Sequence, residues 1–148
     1  MSKREITLYI VDIFIAIDKL ESYTQPFESA EALLYSDIHW DACIRELEII
    51  GEATKILLSH QLLDTQYRRI VDFRNQISHG YFGIDEKIVW NILKEKLPLY
   101  KKDLKETIQS KNIDLSHAIT HAKHEFQYKE NILLTLNKLS KLTTNRQK

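Results

Sequence analysis

Phe73 to Asp85 reads FRNQISHGYFGID. Its first half suits a helix, and Gly80, Gly83 and Asp85 then supply the residues that end one helix and cap the next. It carries Arg74, Asn75 and His79, followed by Gly80 and Tyr81. With Arg74 at zero and about 100° per residue, Ser78 falls at about 40°, Asn75 at about 100°, His79 at about 140° and Asp72 at about 160°. Phe73, Ile77, Ile70 and Gly80 fall between about 240° and 320°. One side therefore packs into a bundle, while the other projects a guanidinium, an amide, a hydroxyl and an imidazole. Val71, at about 60°, is the apolar exception.

The flanking sequence is helical in the same sense. Ile6, Ile10, Ile13, Ile17 and Leu20 recur at steps of three and four, which predicts an amphipathic helix near residues 4–22. After Gln25-Pro26, a short helix capped by Ser29 reaches Tyr35, and a longer one runs from about Ile38 to Ser59. On that longer helix Trp40, Ile44, Leu47, Gly51, Thr54 and Leu58 share a face, and Gly51 lets a neighbouring helix come close. Arg45, Glu48 and Glu52 form a separate polar stripe within about 60°. Asp64 or Thr65 caps the motif helix. Asp85 caps a helix from Glu86 towards Lys111, with a kink expected at Pro98.

Asp114 or Ser116 starts a final helix lined by Leu115, Ile119, Ala122, Phe126 and Leu133, and the chain from about Leu142 is polar and frayed. The expected fold is all-α, an antiparallel bundle of five or six helices. Residues 1–111 form the bundle, and residues 112–148 a helical extension packed on the same domain.

Composition bounds the function. The chain has 148 residues with 3 Gly and 2 Pro, few for a turn-rich all-β protein. Its single cysteine, Cys43, excludes an internal disulfide, as suits a reducing cytoplasm, and sits among apolar helix positions. No apolar run approaches the ~18 residues of a membrane span, and there is no signal-peptide pattern. A soluble cytoplasmic protein is expected. The zero net charge conceals an asymmetry. Residues 1–100 hold 11 Lys+Arg against 16 Asp+Glu, and residues 101–148 hold 10 against 5. A polyanion would meet a local patch or the basic C-terminal part, which equally serves as a solvated helix face.

The polar side of the motif helix suits one chemistry. RNA brings its own nucleophile, the 2′-hydroxyl, so strand cleavage needs no bound metal. It needs a proton acceptor, a proton donor and positive charge on the phosphorane. Imidazole holds either protonation state around neutral pH. Arginine offers a fork of donors to phosphate oxygens and keeps its charge. One histidine does not readily serve as acid and base in the same step, whereas a two-fold dimer would pair two such faces. On the wheel alone, Arg74 and His79 also fit an ordinary surface.

Arg74 to Tyr81, R-N-Q-I-S-H-G-Y, matches the R-x4-H-x-Y motif of HepT-like proteins of the HEPN superfamily. RELEIIGEATK (Arg45 to Lys55) and YFGIDEKIVWNILKEKLP (Tyr81 to Pro98) resemble the segments flanking that motif, and the likeness covers roughly residues 4 to 110. The resemblance implies a helical homodimer whose paired motifs line a cleft and cleave RNA without metal or cofactor. Arg74 and His79 would then be catalytic, with Asn75 supporting them. It also implies a minimal nucleotidyltransferase antitoxin as partner, which adenylylates the motif tyrosine, here Tyr81. ATP is the substrate of that partner.

Other residues stay open at this stage. Arg68 and Arg69 could contact RNA backbone or serve as surface charge. His117, His121 and His124 have metal-ligand spacings, but cluster opposite Leu115, Ile119 and Phe126 and lack an evident fourth ligand. The alternative functions are a non-catalytic HEPN subunit that serves a nucleotidyltransferase, and a plain helical interaction protein.

Overall fold

A computed structural model of the chain describes residues 1–79 and 83–144. Among them are seven α-helices and no strand. They are α1 (Lys3–Thr24), α2 (Ala30–Leu34), α3 (Asp37–Ser59), α4 (Arg68–Ser78), α5 (residues 86–110), α6 (Ser116–Glu125) and α7 (Glu130–Thr144). The all-α bundle is as the sequence predicts. Several caps are too: Ser29 accepts from the Ala32 N–H at 3.1 Å, and Asp85 from the Lys87 N–H at 2.9 Å. Asp64 makes no such bond. A 3-10 turn over Thr65–Tyr67 leads instead into α4.

α1 and α3 lie antiparallel, with Lys19 beside Glu46 at one end. At the other end Ile6 and Ile10 share a groove with His60 and Leu62. α5 runs back along α1: Lys94 reaches Thr24, Lys101 reaches Glu21, and Lys111 donates to the Gln61 carbonyl. A π-helical turn, Ile92–Lys96, separates its two α segments, Glu86–Asn91 and Leu97–Ser110. Pro98 has no N–H for the carbonyl of Lys94, four residues back. The change of winding sits where that bond is missing.

Two expectations need correction. α1 is not simply amphipathic, because Val11, Phe14, Ile15 and Ala16 are buried along with Ile10, Ile13, Ile17 and Leu20. Nor is there one final helix. The chain turns at Phe126, whose N–H closes α6 on the Ala122 carbonyl, and starts again at Glu130. Both have one cause. The buried residues of α6 are Ala118, Ile119 and Ala122, whereas those of α7 are Ile132, Leu136 and Leu139. On a continuous helix the second set would lie about 80° round from the first, so one straight helix aims the two at the core poorly. Broken in two, the segment covers the side of α1 away from α3. The Thr135 hydroxyl bonds Asp18 there, and Lys19 lies over the Phe126 ring. α7 reaches Thr144 with Leu142 half-buried against the core, and residues 145–148 lie outside those described.

Polar groups in the core are paired. Tyr100 is fully buried, and its hydroxyl lies 2.8 Å from the Thr54 hydroxyl. Thr54 gives its one proton to the Ile50 carbonyl at 2.6 Å, so Tyr100 must be the donor between them. Tyr67 stacks on Tyr100 with ring centroids 4.6 Å apart, and its own hydroxyl bonds Asp103. This cluster fixes the start of α4 against α3 and α5. Thr54→Val would leave the Tyr100 hydroxyl buried with nothing to accept its proton, at a cost of about 1–3 kcal/mol. Tyr100→Phe removes that donor and is expected to cost less than Thr54→Val, as urea denaturation of the two variants will show.

Candidate functional site

α4 makes a short antiparallel hairpin with α3, and its middle turn meets α3 at a glycine. A Cβ built at Gly51 would stand 2.2 Å from Arg74 Cβ and 2.6 Å from Arg74 Cγ. No side chain fits there. Gly51 therefore sets how close α4 lies, and the stem of Arg74 runs across α3 where a side chain would have been.

The head of Arg74 emerges at the rim of this contact. Its side chain is 30 % exposed, and Nη2 lies 3.1 Å from Glu52 Oε2. Nη1 donates to Asn75 Oδ1 at 3.3 Å. Nε is buried and finds no hydrogen-bond partner among the described residues. Opposite charge at contact distance and a planar donor fork hold a guanidinium in one plane better than either alone. Glu52 comes from the polar stripe on α3, and its carboxylate is 49 % exposed.

The wheel placed Arg74 among the outward residues, and there it fails. Val71 is 5 % exposed and Ile77 7 %, with Ile70 and Phe73 partly buried. The inward arc thus runs from about 260° round to about 60°, and Arg74 stands near its middle. The apolar exception at Val71 was the clue: an arc wide enough to include it must include Arg74. Asn75 is half-buried at the edge of the arc, while Ser78 and His79 are exposed. His79 closes α4, its backbone N–H bonding the Asn75 and Ile77 carbonyls.

The structure thus joins Arg74 and Asn75 directly and places His79 on the exposed end of the same helix. Tyr81 and Gly80 lie outside the described residues. Arg68 and Arg69 are exposed in the first turn of α4. That end of a helix carries partial positive charge, so two cations there are not explained by helix stability. Glu52 is the residue whose contact with Arg74 the sequence reading missed. Its position directly after the one glycine of α3 was the available signal.

Other candidates lie elsewhere. Cys43 is fully buried, and burial, reinforced by the nearby Glu46 carboxylate, pushes its thiol up to about 11. A thiol so held is a packing group and not a nucleophile. His121 pairs loosely with Glu125 at 3.9 Å, His124 is exposed, and His117 lines a groove of about 630 Å³ between α1, α5 and α6. Among the described residues, no group of three or more His, Cys, Asp or Glu is arranged to hold a metal ion.

The all-helical bundle thus carries arginine, asparagine and histidine on one short helix. Comparison with known proteins makes this particular. Residues 13–110 match the model of the family described as Ribonuclease HepT-like. The chain is 33% identical over 107 residues to "Putative RNase MJ1380" of Methanocaldococcus jannaschii, covering 70% of this chain and 97% of that protein. It is 32% identical over 102 residues to "Probable ribonuclease HepT" of Thermococcus cleftensis, covering 67% of this chain and 92% of that one. No solved structure matches. The chain belongs to the HepT-like ribonuclease family, and with it to the ribonucleases of HEPN type. Among the described residues no helix is long and apolar enough to cross a membrane.

Gly51→Ala is expected to destabilise the fold by about 1–3 kcal/mol, as overpacking a tight contact does. Because the nearest atom is Arg74 Cβ, adding Arg74→Ala should not restore the loss. Urea denaturation of the single and double variants checks both statements.

Proposed function

We propose that this chain is the toxin of a HEPN and nucleotidyltransferase toxin–antitoxin pair, a metal-independent endoribonuclease silenced by adenylylation of Tyr81. The observation that supports the reading is a guanidinium held at the α3–α4 contact together with an exposed imidazole at the end of the same helix. Arg74 is wedged against Gly51 with its terminal nitrogens at the surface, and His79 ends the same helix.

The chemistry follows from those groups. The 2′-hydroxyl of RNA attacks the adjacent phosphate, losing a proton, and the 5′-oxygen leaves, gaining one. Imidazole can serve either transfer. Arginine N–H groups stabilise the charge that builds on the phosphorane oxygens. A homodimer with its two α4 ends facing each other supplies two histidines and two arginines, so that one His79 accepts a proton while the other donates. Asn75 steadies Arg74, and Arg68 and Arg69 hold the backbone of the RNA that enters. No cofactor takes part.

Tyr81 lies two positions beyond His79. AMP attached there by the antitoxin adds bulk and a negative phosphate beside a site built for phosphate. RNA is then excluded by size and by charge. The antitoxin consumes the ATP.

Purified wild-type protein in EDTA should cleave total cellular RNA or a transfer-RNA pool, and His79→Ala should not. The variant should keep the wild-type helix content and elute in the same position in gel filtration, since His79 is exposed. A non-cleaving wild type, folded and unmodified, would leave the accessory-subunit reading in its place. Tyr81→Phe should yield a nuclease that the antitoxin and ATP no longer silence. Radiolabelled AMP transfer followed by an RNA assay reads this, and full silencing of that variant without binding would count against Tyr81.

A further inference from the structure

We infer that Glu52 is the positioning residue for Arg74: its carboxylate holds the guanidinium in the plane in which two of its N–H groups meet a phosphate. The inference rests on the ribonuclease reading above and adds to it a residue from a different helix.

The argument begins with donor counting. A guanidinium has five N–H donors, one on Nε and two on each terminal nitrogen. Nε is buried in the α3–α4 contact. Nη2 is committed to the Glu52 carboxylate by an ion pair at 3.1 Å, and Nη1 spends one donor on Asn75. That leaves one donor on each terminal nitrogen, the pair that can bridge two oxygens of one phosphate. Without Glu52, Arg74 keeps its buried stem but its head turns about the last bonds of the side chain. The donors then no longer arrive together at the phosphorane.

Stability is a poor alternative explanation for the pair. Glu52 is about half exposed, and exposed ion pairs of this kind contribute little to folding. The local design also speaks for positioning. Gly51 admits the stem and the next residue catches the head, so a single turn of α3 determines where both ends of Arg74 lie. Asn75 alone gives a longer, neutral contact from the adjoining residue. Glu52 supplies the charged contact from outside α4.

The carboxylate also sets a sign. Glu52 lowers the net positive charge of the site, so it cannot be there to draw RNA in. Its removal should therefore leave binding nearly intact and slow the chemical step. Steady-state cleavage of a short RNA separates the two. For Glu52→Ala we expect kcat about tenfold or more below wild type with KM within about twofold, as when a group that orients the reacting geometry is lost. Glu52→Gln keeps an oxygen that accepts from Nη2, and should recover most of the loss. In an Arg74→Ala chain, Glu52→Ala should cost nothing further. Thermal melting of Glu52→Ala should stay close to wild type.

Wild-type kcat in Glu52→Ala, or a value above wild type, overturns the inference; the latter would make the carboxylate a brake. Loss that adds to that of Arg74→Ala, or that follows a large drop in melting temperature, overturns it as well. If wild-type protein fails to cleave while His79→Ala behaves the same, the ribonuclease reading falls and this inference falls with it.

Discussion

α3 and α4 come close together where a missing Cβ at Gly51 makes room for the stem of Arg74. Much else depends on that contact. It fixes the depth of α4, and with it which of the α4 side chains are buried and which reach solvent. Ile77 and Val71 seal it with apolar contacts, and Tyr67 locks the leading end of α4 onto Tyr100 and Asp103. An arginine is a poor residue to bury unless its charge emerges, and here only the stem and Nε are covered. Rigidity at one end of the side chain and access at the other suit the phosphate contact proposed for Arg74.

The surrounding bundle supplies stiffness and little chemistry. Its polar core groups are spent on each other: Tyr100 on Thr54, and Thr54 on Ile50. Cys43 is neutral and Glu46 is nearly covered, its carboxyl held above the usual carboxylate range by burial. Arg74 and His79, by contrast, keep contact with solvent at the α4 rim. In the function proposed above, the chemistry is grafted onto a helix end, and the helices behind it serve as its mounting.

Much of this was legible in the sequence, for identifiable reasons. Three- and four-residue spacing revealed α1, α3 and α4, and the side chains of Ser29 and Asp85 marked helix starts as cap chemistry dictates. The small residue in α3 foretold a close neighbour. What escaped was anything depending on a third element. Val11 and Ile15 fall on the same side of α1 as Asp12, Asp18 and Lys19, and only the presence of α6 and α7 there explains why they are apolar. The break at Phe126 escaped for the same reason, because a shift of stripe matters only when there is a surface to face. Arg74 was misplaced because a charged residue was assumed to point outward, whereas its aliphatic stem behaves as part of the apolar arc.

The wide buried arc of α1 has a consequence for how the chain comes into being. Asp18 and its partner Thr135 stand 117 positions apart, so α1 is made well before the side chain it bonds. Until α6 and α7 exist, a newly made chain carries an uncovered apolar flank along its first helix, a surface that invites chaperones or aggregation. The bundle that mounts the α4 rim is closed only from its far end. Packing of the first helix waits on α6 and α7, and a chain interrupted before them would leave that flank of α1 uncovered.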